Sequence, residues 1–418
     1  MKKINSILIA MLAVALFFTA CSSNDDEPAA VEIASGTTGS LTWKLTEDGL
    51  LTISGNGAIP NYVWYCDAPW GDHCELIKAV VISKGVTSIG DYVFAGCIRL
   101  TSITIPNSVT TIGDYALSGC ISLTSITIPN SVKTIGVRAF SLCHSLISIA
   151  IPKGVITIGD RVFDGSIGLT GITISNSVTN IGYAAFADCR NLASIEVVAD
   201  NPNYCSEAGI LFSKAKDVLV KYPENKSGNN YTTPSSVTTI ENEAFSNCIS
   251  LISITIPNSV TTIGNYAFYN CSSLTSITIP NDVTTIGDGT FSWCLNLTSI
   301  TIPNSITRIE NYAFAQCGKL TSITIPNSVI TIGESAFWDC GSLRNITIPN
   351  SVTRIGNNAF NNCSSLTEVT VQATVPPAIV GYDRLLGFSF TIPVYVSQSY
   401  LQAYQESADW KYYNLQGI

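Results

Sequence analysis

Apolar residues recur along the middle of this chain with two interleaved rhythms. Over Leu274 to Cys294, LTSITIPNDVTTIGDGTFSWC, the residues Leu274, Ile277 and Ile279 follow an L-x-x-L-x-L pattern. Ile277 and Ile279 share one face of a short strand and Thr278 takes the other, because successive side chains of a strand alternate. Pro280 has no backbone N–H and ends the strand. Asn281 and Asp282 suit the turn that follows. Val283 and Ile286 point back inward, and Gly287 permits a tight corner. The stretch from Gly287 to Cys294 predicts a short helical or 3₁₀ return that buries Phe291 and Cys294.

The pattern repeats. Cys97, Cys120 and Cys143 mark a unit of about 23 residues. Ser166 fills the next slot, and Cys189 follows at the same step. After a break the step resumes through Cys248, Cys271, Cys294, Cys317, Cys340 and Cys363. The phrase SITIPNSV stands at Ser102, Ser125, Ser253 and Ser322, with near-copies at Ser276, Ser299 and Asn345. A fixed period in the twenties marks a solenoid, in which no unit buries its apolar side alone and stacking makes one continuous core. Eleven units run from Ile77 to about Ser365, followed by a closing strand at Leu366 to Val371. At the spacing of paired strands they span on the order of 50 Å.

The expected organisation is a repeat solenoid at 77–371 with irregular caps. Residues 37–76 predict a β-hairpin cap, since Leu41 to Leu45 and Leu50 to Ser54 flank Glu47-Asp48-Gly49. Residues 372–418 form the other cap, where Pro376-Pro377 breaks the rhythm and Tyr400, Leu401 and Tyr404 have helical spacing. The interval from Cys189 to Cys248 is longer than two steps of the repeat. The excess falls at about 199–231, where the apolar runs Gly209 to Phe212 and Val218 to Tyr222 predict a hairpin bulging from the solenoid.

Composition and the N-terminus narrow the setting. Hydrophobic residues make up 46% of the 418 and charged residues 12%, against roughly 25% charged in an ordinary soluble domain. The polar surface is therefore mostly Ser, Thr and Asn. The net charge of −9 argues against nucleic acid, which needs a basic face. Residues 1–20, with Lys2 and Lys3 before an apolar stretch from Ile7 to Phe18, form an export signal rather than a membrane span. Phe18-Thr19-Ala20-Cys21 resembles a bacterial lipobox, departing from it at Phe18, and implies acylation of Cys21. Residues 21–36 form a flexible tether. Its Asp25, Asp26 and Glu27 resemble the acidic signal that sends lipoproteins of Bacteroides-type bacteria to the cell surface. The expected location is the outer membrane, surface-exposed, with the chain tethered by lipid and not embedded.

The consensus L-T-S-I-T-I-P-N-S-V-T-x-I-G-x-x-A-F-x-x-C resembles the BspA-type, or Treponema-type, leucine-rich repeat. The resemblance extends to Leu41-Thr42-Trp43 and Pro69-Trp70, to Gly209-Ile210-Leu211-Phe212 and Tyr222-Pro223, and to Ile392-Pro393-Val394-Tyr395-Val396 and Trp410. It implies a leucine-rich repeat surface lipoprotein that adheres to host matrix, host cells or other bacteria. It does not carry over a ligand, because a fold is not a site.

No catalytic constellation emerges. His73 and His144 are the two histidines, and neither sits beside a nucleophile and an orienting acid. Cys66, His73 and Cys74 lack metal-ligand spacing, so no metal or other cofactor is expected. A Cys66–Cys74 disulfide fits an exported chain. The column of ten cysteines reads as buried small apolar residues. Glu196 and Glu368, the acids of the exposed strand face, are separated by five regular strands and cannot pair for glycoside hydrolysis.

Two sets of residues remain as candidate binding groups. One is the outward hydroxyl face of the strands, including Ser102, Thr104, Ser276 and Thr278. The other is the central insertion, with Tyr204, Phe212 and Tyr222, since loops on a rigid scaffold often carry function. Arg138 and Arg161, which replace tyrosine at the slot of Tyr92, Tyr115, Tyr266 and Tyr312, are further departures from the repeat. The leading expectation is a non-catalytic protein-binding adhesin. The alternative is a glycan-capturing lipoprotein of a nutrient-uptake system, which exposed aromatic pairs would favour.

Overall fold

A computed structural model describes residues 30–383 and 385–418. The leader 1–20, the acylation residue Cys21 and the tether up to residue 29 lie outside the described residues. Within them the chain coils into a parallel-strand solenoid of about 15 turns. Each regular rung contributes two short strands and one run of turns. Ser276–Thr278 pairs in parallel with Ser299–Thr301, setting Ser276 against Ser299, Ile277 against Ile300 and Thr278 against Thr301. The second strand is shorter still, as where Thr285–Ile286 pairs with Arg308–Ile309. Each step is one period, so like side chains stack on like.

The return is not helical, contrary to the sequence expectation. Two positions per rung sit in the left-handed region, such as Tyr266 at φ 56° and Asn270 at φ 53°, and they break any helical ladder. The return is instead a series of turns whose N–H groups donate to the next rung. Tyr266 N–H bonds to the Asp288 carbonyl at 2.8 Å, Phe268 to Thr290 at 2.9 Å and Asn270 to Ser292 at 2.8 Å. All three sides of the rung are thereby tied to a neighbour, as buried backbone requires. At the corner, the Asp91 carboxylate accepts from Asp114 N–H and the Asp114 carboxylate from Val137 N–H, both at 2.7 Å. Gly113 is needed there: a Cβ would lie 2.4 Å from the Asp91 Oδ1.

SITIPNSV is a strand at Ser102–Thr104 and Ser253–Thr255 but has no assigned strand at 125–128 or 322–325. So short a parallel strand, stopped by proline, makes few, slanted bonds, and a slight splay opens the ladder.

The core is a set of columns. Phe140 stacks on Phe163 and Phe163 on Phe186, and Trp70 closes that column over Phe94 at 5.9 Å. From Cys120 onward each column thiol donates to a carbonyl of the preceding rung: Cys120 to Phe94 at 3.3 Å, Cys271 to Phe245 at 3.1 Å. Ser166 makes the same bond to Phe140 at 2.7 Å, which explains how a serine fills the slot. Cys74, one full step before Cys97, is the first member of this column.

The caps continue the coil. Glu32–Thr38 pairs antiparallel with Leu41–Thr46, and that strand with Leu50–Gly55. The first of these begins inside the segment expected to be tether. Leu50–Gly55 then pairs in parallel with Ala79–Ile82, joining the cap to the first rung. At the other end Pro393–Val396 pairs with Asn414–Gly417, and the helix Leu401–Glu406 buries Tyr404. Among the described residues no helix is long and apolar enough to cross a membrane.

The insertion is a meander built into the stack, not a hairpin bulging from it. Tyr204–Glu207 pairs antiparallel with Ile210–Ser213, and that strand with Val218–Lys221. Val218–Lys221 then pairs in parallel with Thr239–Ile240 and re-enters the solenoid. The meander divides the core in two. Leu211 packs into the N-terminal cluster, while its neighbours Ile210 and Phe212 pack into the C-terminal one.

Candidate functional site

Two surfaces carry candidate chemistry, the strand face and the seam at the meander. On the strand face Ser102, Thr104, Ser276 and Thr278 are all exposed, with Ile103 and Ile277 buried between them. The exposed residues continue through Ser299, Thr301, Ser322, Thr324, Asn345 and Thr347. From Ser276 to Thr347 the face therefore presents hydroxyls and an amide without a charge, between Glu196 and Glu368. Where the ladder opens, Ser102, Thr104, Asn107, Ser125 and Thr127 line a groove of about 480 Å³.

The insertion residues fare differently. Phe212 and Tyr222 are 1% and 2% exposed. Tyr222 stacks on Phe245 at 5.3 Å and so fills the phenylalanine column of its own rung. Neither can meet a partner, and both are core residues. Tyr204 is half-buried, and its hydroxyl accepts the Ile181 N–H at 3.1 Å, a donor that the interrupted ladder leaves over. Asn201, which sequence reasoning passed over, does more of this work. Its buried amide donates to the Ser175 and Val178 carbonyls at 2.8 and 2.9 Å, and its oxygen accepts from Asn203 and Tyr204 N–H.

The seam also makes a cleft. The chain covers the path from Leu219 to Asn230 with fewer residues than the next rung uses from Ile240 to Ser253, although both ends are paired in register. That rung's return is cut short, and the returns on either side stand apart. Lys221 fills the gap from within. Its ammonium donates to Glu224 at 3.2 Å, the Glu243 carbonyl at 3.2 Å and Ser246 Oγ at 3.1 Å. Burial pushes the Glu224 carboxyl up to about 6, against the pull of Lys221.

Above this pair lie two adjoining hollows that share Glu243. One, of about 310 Å³, is lined by Tyr183, Ala184, Val220, Lys221 and Asn242 among others. The second, of about 330 Å³, is lined by Arg161, Asp188, Ser246, Asn247, Tyr266 and Tyr269. Arg161 bridges to Glu243 at 3.1 Å and to Asp164 at 3.5 Å, and lies 5.4 Å over the Tyr183 ring. The Tyr183 hydroxyl donates to Glu243 at 2.9 Å. Arg138 caps the stacked pair Tyr92–Tyr115, whose centroids are 4.6 Å apart. The departures at Arg138 and Arg161 therefore mark the approach to the seam.

The Cys66 and Cys74 thiols are unbridged and lie in hydrogen-bond contact with each other. Cys74 is committed to the column, its sulfur 3.4 Å from that of Cys97 in the core. Burial pushes the column thiols up, Cys143 and Cys294 to about 12. Among the described residues no group of three or more His, Cys, Asp or Glu side chains is arranged to hold a metal.

A family model described as BspA type leucine-rich repeat region matches the chain in six copies, over residues 72–193, 222–301 and 284–377. The interval between the first two blocks coincides with the meander. A leucine-rich repeat protein of Eubacterium ventriosum is 34% identical, aligned over 81% of this chain and 96% of its own, with a TM-score of 0.72. A leucine-rich cell surface protein of Faecalibacterium prausnitzii is 29% identical over 81% of this chain and 94% of its own, with a TM-score of 0.55. A leucine-rich repeat protein of Bacteroides ovatus is 25% identical over 92% of this chain and 99% of its own, with a TM-score of 0.52. No curated protein matches the chain. The columns, the constant register of the rungs and these matches agree, and the chain belongs to the BspA-type leucine-rich repeat family.

Proposed function

We propose that this protein is an exported lipoprotein, acylated at Cys21 and displayed on the cell surface, that adheres to a protein partner through its strand face. The carrying observation is the row of exposed Ser, Thr and Asn side chains from Thr255 to Thr347. Aligned at rung spacing, they offer donors and acceptors at near-zero local charge, which suits an extended partner held by many weak contacts. Many copies tethered to one cell would add avidity. The cell-surface description of the Faecalibacterium relative supports the location. The reading is non-catalytic.

The test is a binding screen of residues 22–418 against immobilised matrix proteins and polysaccharides, with a Thr255→Lys/Thr278→Lys/Thr301→Lys variant alongside. Saturable protein binding that the variant loses supports the reading. Protein binding indifferent to the three lysines, or binding to polysaccharide alone, sinks it. Deleting 204–229 would be uninformative, because it removes the core residues Phe212, Leu219 and Tyr222. For the anchor, cells fed a clickable fatty acid should label the wild-type chain and not Cys21→Ala. Equal labelling of the two would rule out acylation there.

A further inference from the structure

We infer that the seam cleft is a binding site for a short neutral oligosaccharide. This goes beyond the protein-binding reading and does not depend on it, since the cleft is built from return segments and not from the strand face. Each hollow, at about 310 and 330 Å³, falls in the range of small-molecule sites. Together they offer an elongated trough around Glu243.

Most charges in this cleft are paired among themselves, and Glu241, which lines the first hollow, is exposed at its rim outside any ion pair among the described residues. Glu243 is held by Arg161 and by the Tyr183 hydroxyl. Asp188 accepts from Asn247 Nδ2 at 3.0 Å and faces Arg190 at 3.6 Å. A cationic ligand would meet Arg161, and an anionic one would meet Asp188 and Glu243. An uncharged ligand meets fixed carboxylates and amides that retain free lone pairs and N–H groups. Such planar groups, locked by their neighbours, bind adjacent hydroxyls through charge-assisted hydrogen bonds. Their orientation is set before the ligand arrives, which lowers the ordering cost of binding.

Rings complete the trough. Tyr266 and Tyr269 meet edge to face at 6.0 Å, and Tyr183 is exposed above. Tyr266 lies over Gly289, where a Cβ would sit 2.3 Å from the ring, so the glycine at that slot lets the ring lie flat. Aromatic faces of this kind pack against the C–H face of a sugar ring. Glu243 N–H is bonded to Asn265 and Asn247 N–H to Tyr269, on the side away from the cleft, while the N–H groups of Ala184, Phe186 and Asp188 on its other wall make none of the rung-to-rung bonds of a regular return and are left as donors to a ligand.

The test is calorimetric titration of the exported chain with maltotriose, cellotriose, mannotriose and xylotriose, with a uronic acid trisaccharide and a lysine-rich peptide as charged probes. At least one neutral trisaccharide should bind saturably. Tyr269→Ala and Asp188→Asn should each weaken it by about tenfold or more, Tyr269→Phe by much less, and Thr278→Ala not at all. Melting curves of the variants separate lost binding from lost fold. Failure of all four neutral sugars, preference for either charged probe, or equal binding by Tyr269→Ala with its fold intact would overturn the proposal.

Discussion

The rungs from Phe245 to Phe360 and the seam between Asn201 and Asn230 are made of the same kinds of residue and behave in opposite ways. In the first, six phenylalanines stack with centroids 5.2 to 5.5 Å apart and planes within 13°. The bonds of the return segments recur there from rung to rung. In the second, the period fails, and single side chains do what the repeat otherwise does collectively. Asn201 and Tyr204 finish one ladder, Tyr222 stands in for a phenylalanine, and Lys221 ties together a return that is too short. Repetition gives stability through many equal contacts, whereas a break concentrates it in a few unequal ones. Those few also leave a place where unlike groups converge.

The largest expected difference lies in the column. Phe291→Ala removes a fully buried ring stacked on both sides, and should cost about 4 kcal/mol in guanidinium unfolding. Phe291→Leu should cost far less, since Leu117 already fills that slot in the N-terminal half. Equal losses would show that the stacking itself, rather than the volume, holds the column.

At the seam Lys221→Met alone should cost about 3 kcal/mol, by leaving Glu224 buried without its partner. Lys221→Met combined with Glu224→Leu should recover most of that. A double variant no better than the single would show that Lys221 acts through Ser246 and the Glu243 carbonyl instead.

Glu224 also gives the seam a pH dependence. Its folded carboxyl titrates near 6, above the ordinary value of 4.5, because burial disfavours the charge. The folded state therefore holds this proton more tightly than the unfolded state does. The contribution is complete below about 4.5 and is lost as pH rises through 6, on the order of 1–2 kcal/mol. Wild type minus Glu224→Gln, measured by denaturant at pH 4.5 and pH 7, isolates it. A difference that grows with pH would contradict the assigned direction.

Cys271→Ser should lose about 1 kcal/mol or less, because a hydroxyl in this slot makes the same bond, as Ser166 does. Thr278→Ala, on the exposed face, should stay within about 0.5 kcal/mol of wild type by thermal melting.

The repeat was legible in the sequence because one rung states its whole contact pattern and the stack copies it. Ile277, Val283, Ile286, Phe291 and Cys294 could all be placed inside from spacing alone, and they are buried. The return was misread as helical because the left-handed residues there are often not glycine. Tyr266, Trp293 and Gln316 hold positive φ without any local signal of it. The same ruler that found Cys97 lands on Cys74 one step earlier, and carrying it back would have placed Cys74 at the head of the column. The seam was harder. The apolar character of Phe212 and Tyr222 fits an exposed binding patch and a core plug equally well. Which one holds depends on the pairing of Val218–Lys221 with Thr239–Ile240, a contact that no periodicity encodes.

The central claim is that face and seam are separate working surfaces on one scaffold. It is tested most directly by crossing the Thr255→Lys/Thr278→Lys/Thr301→Lys and Tyr269→Ala variants against a captured protein ligand and a bound neutral trisaccharide. The account predicts that the lysines abolish protein binding and spare the sugar, while Tyr269→Ala does the reverse. Loss of both ligands in the same variant, with the other variant unaffected, would contradict it.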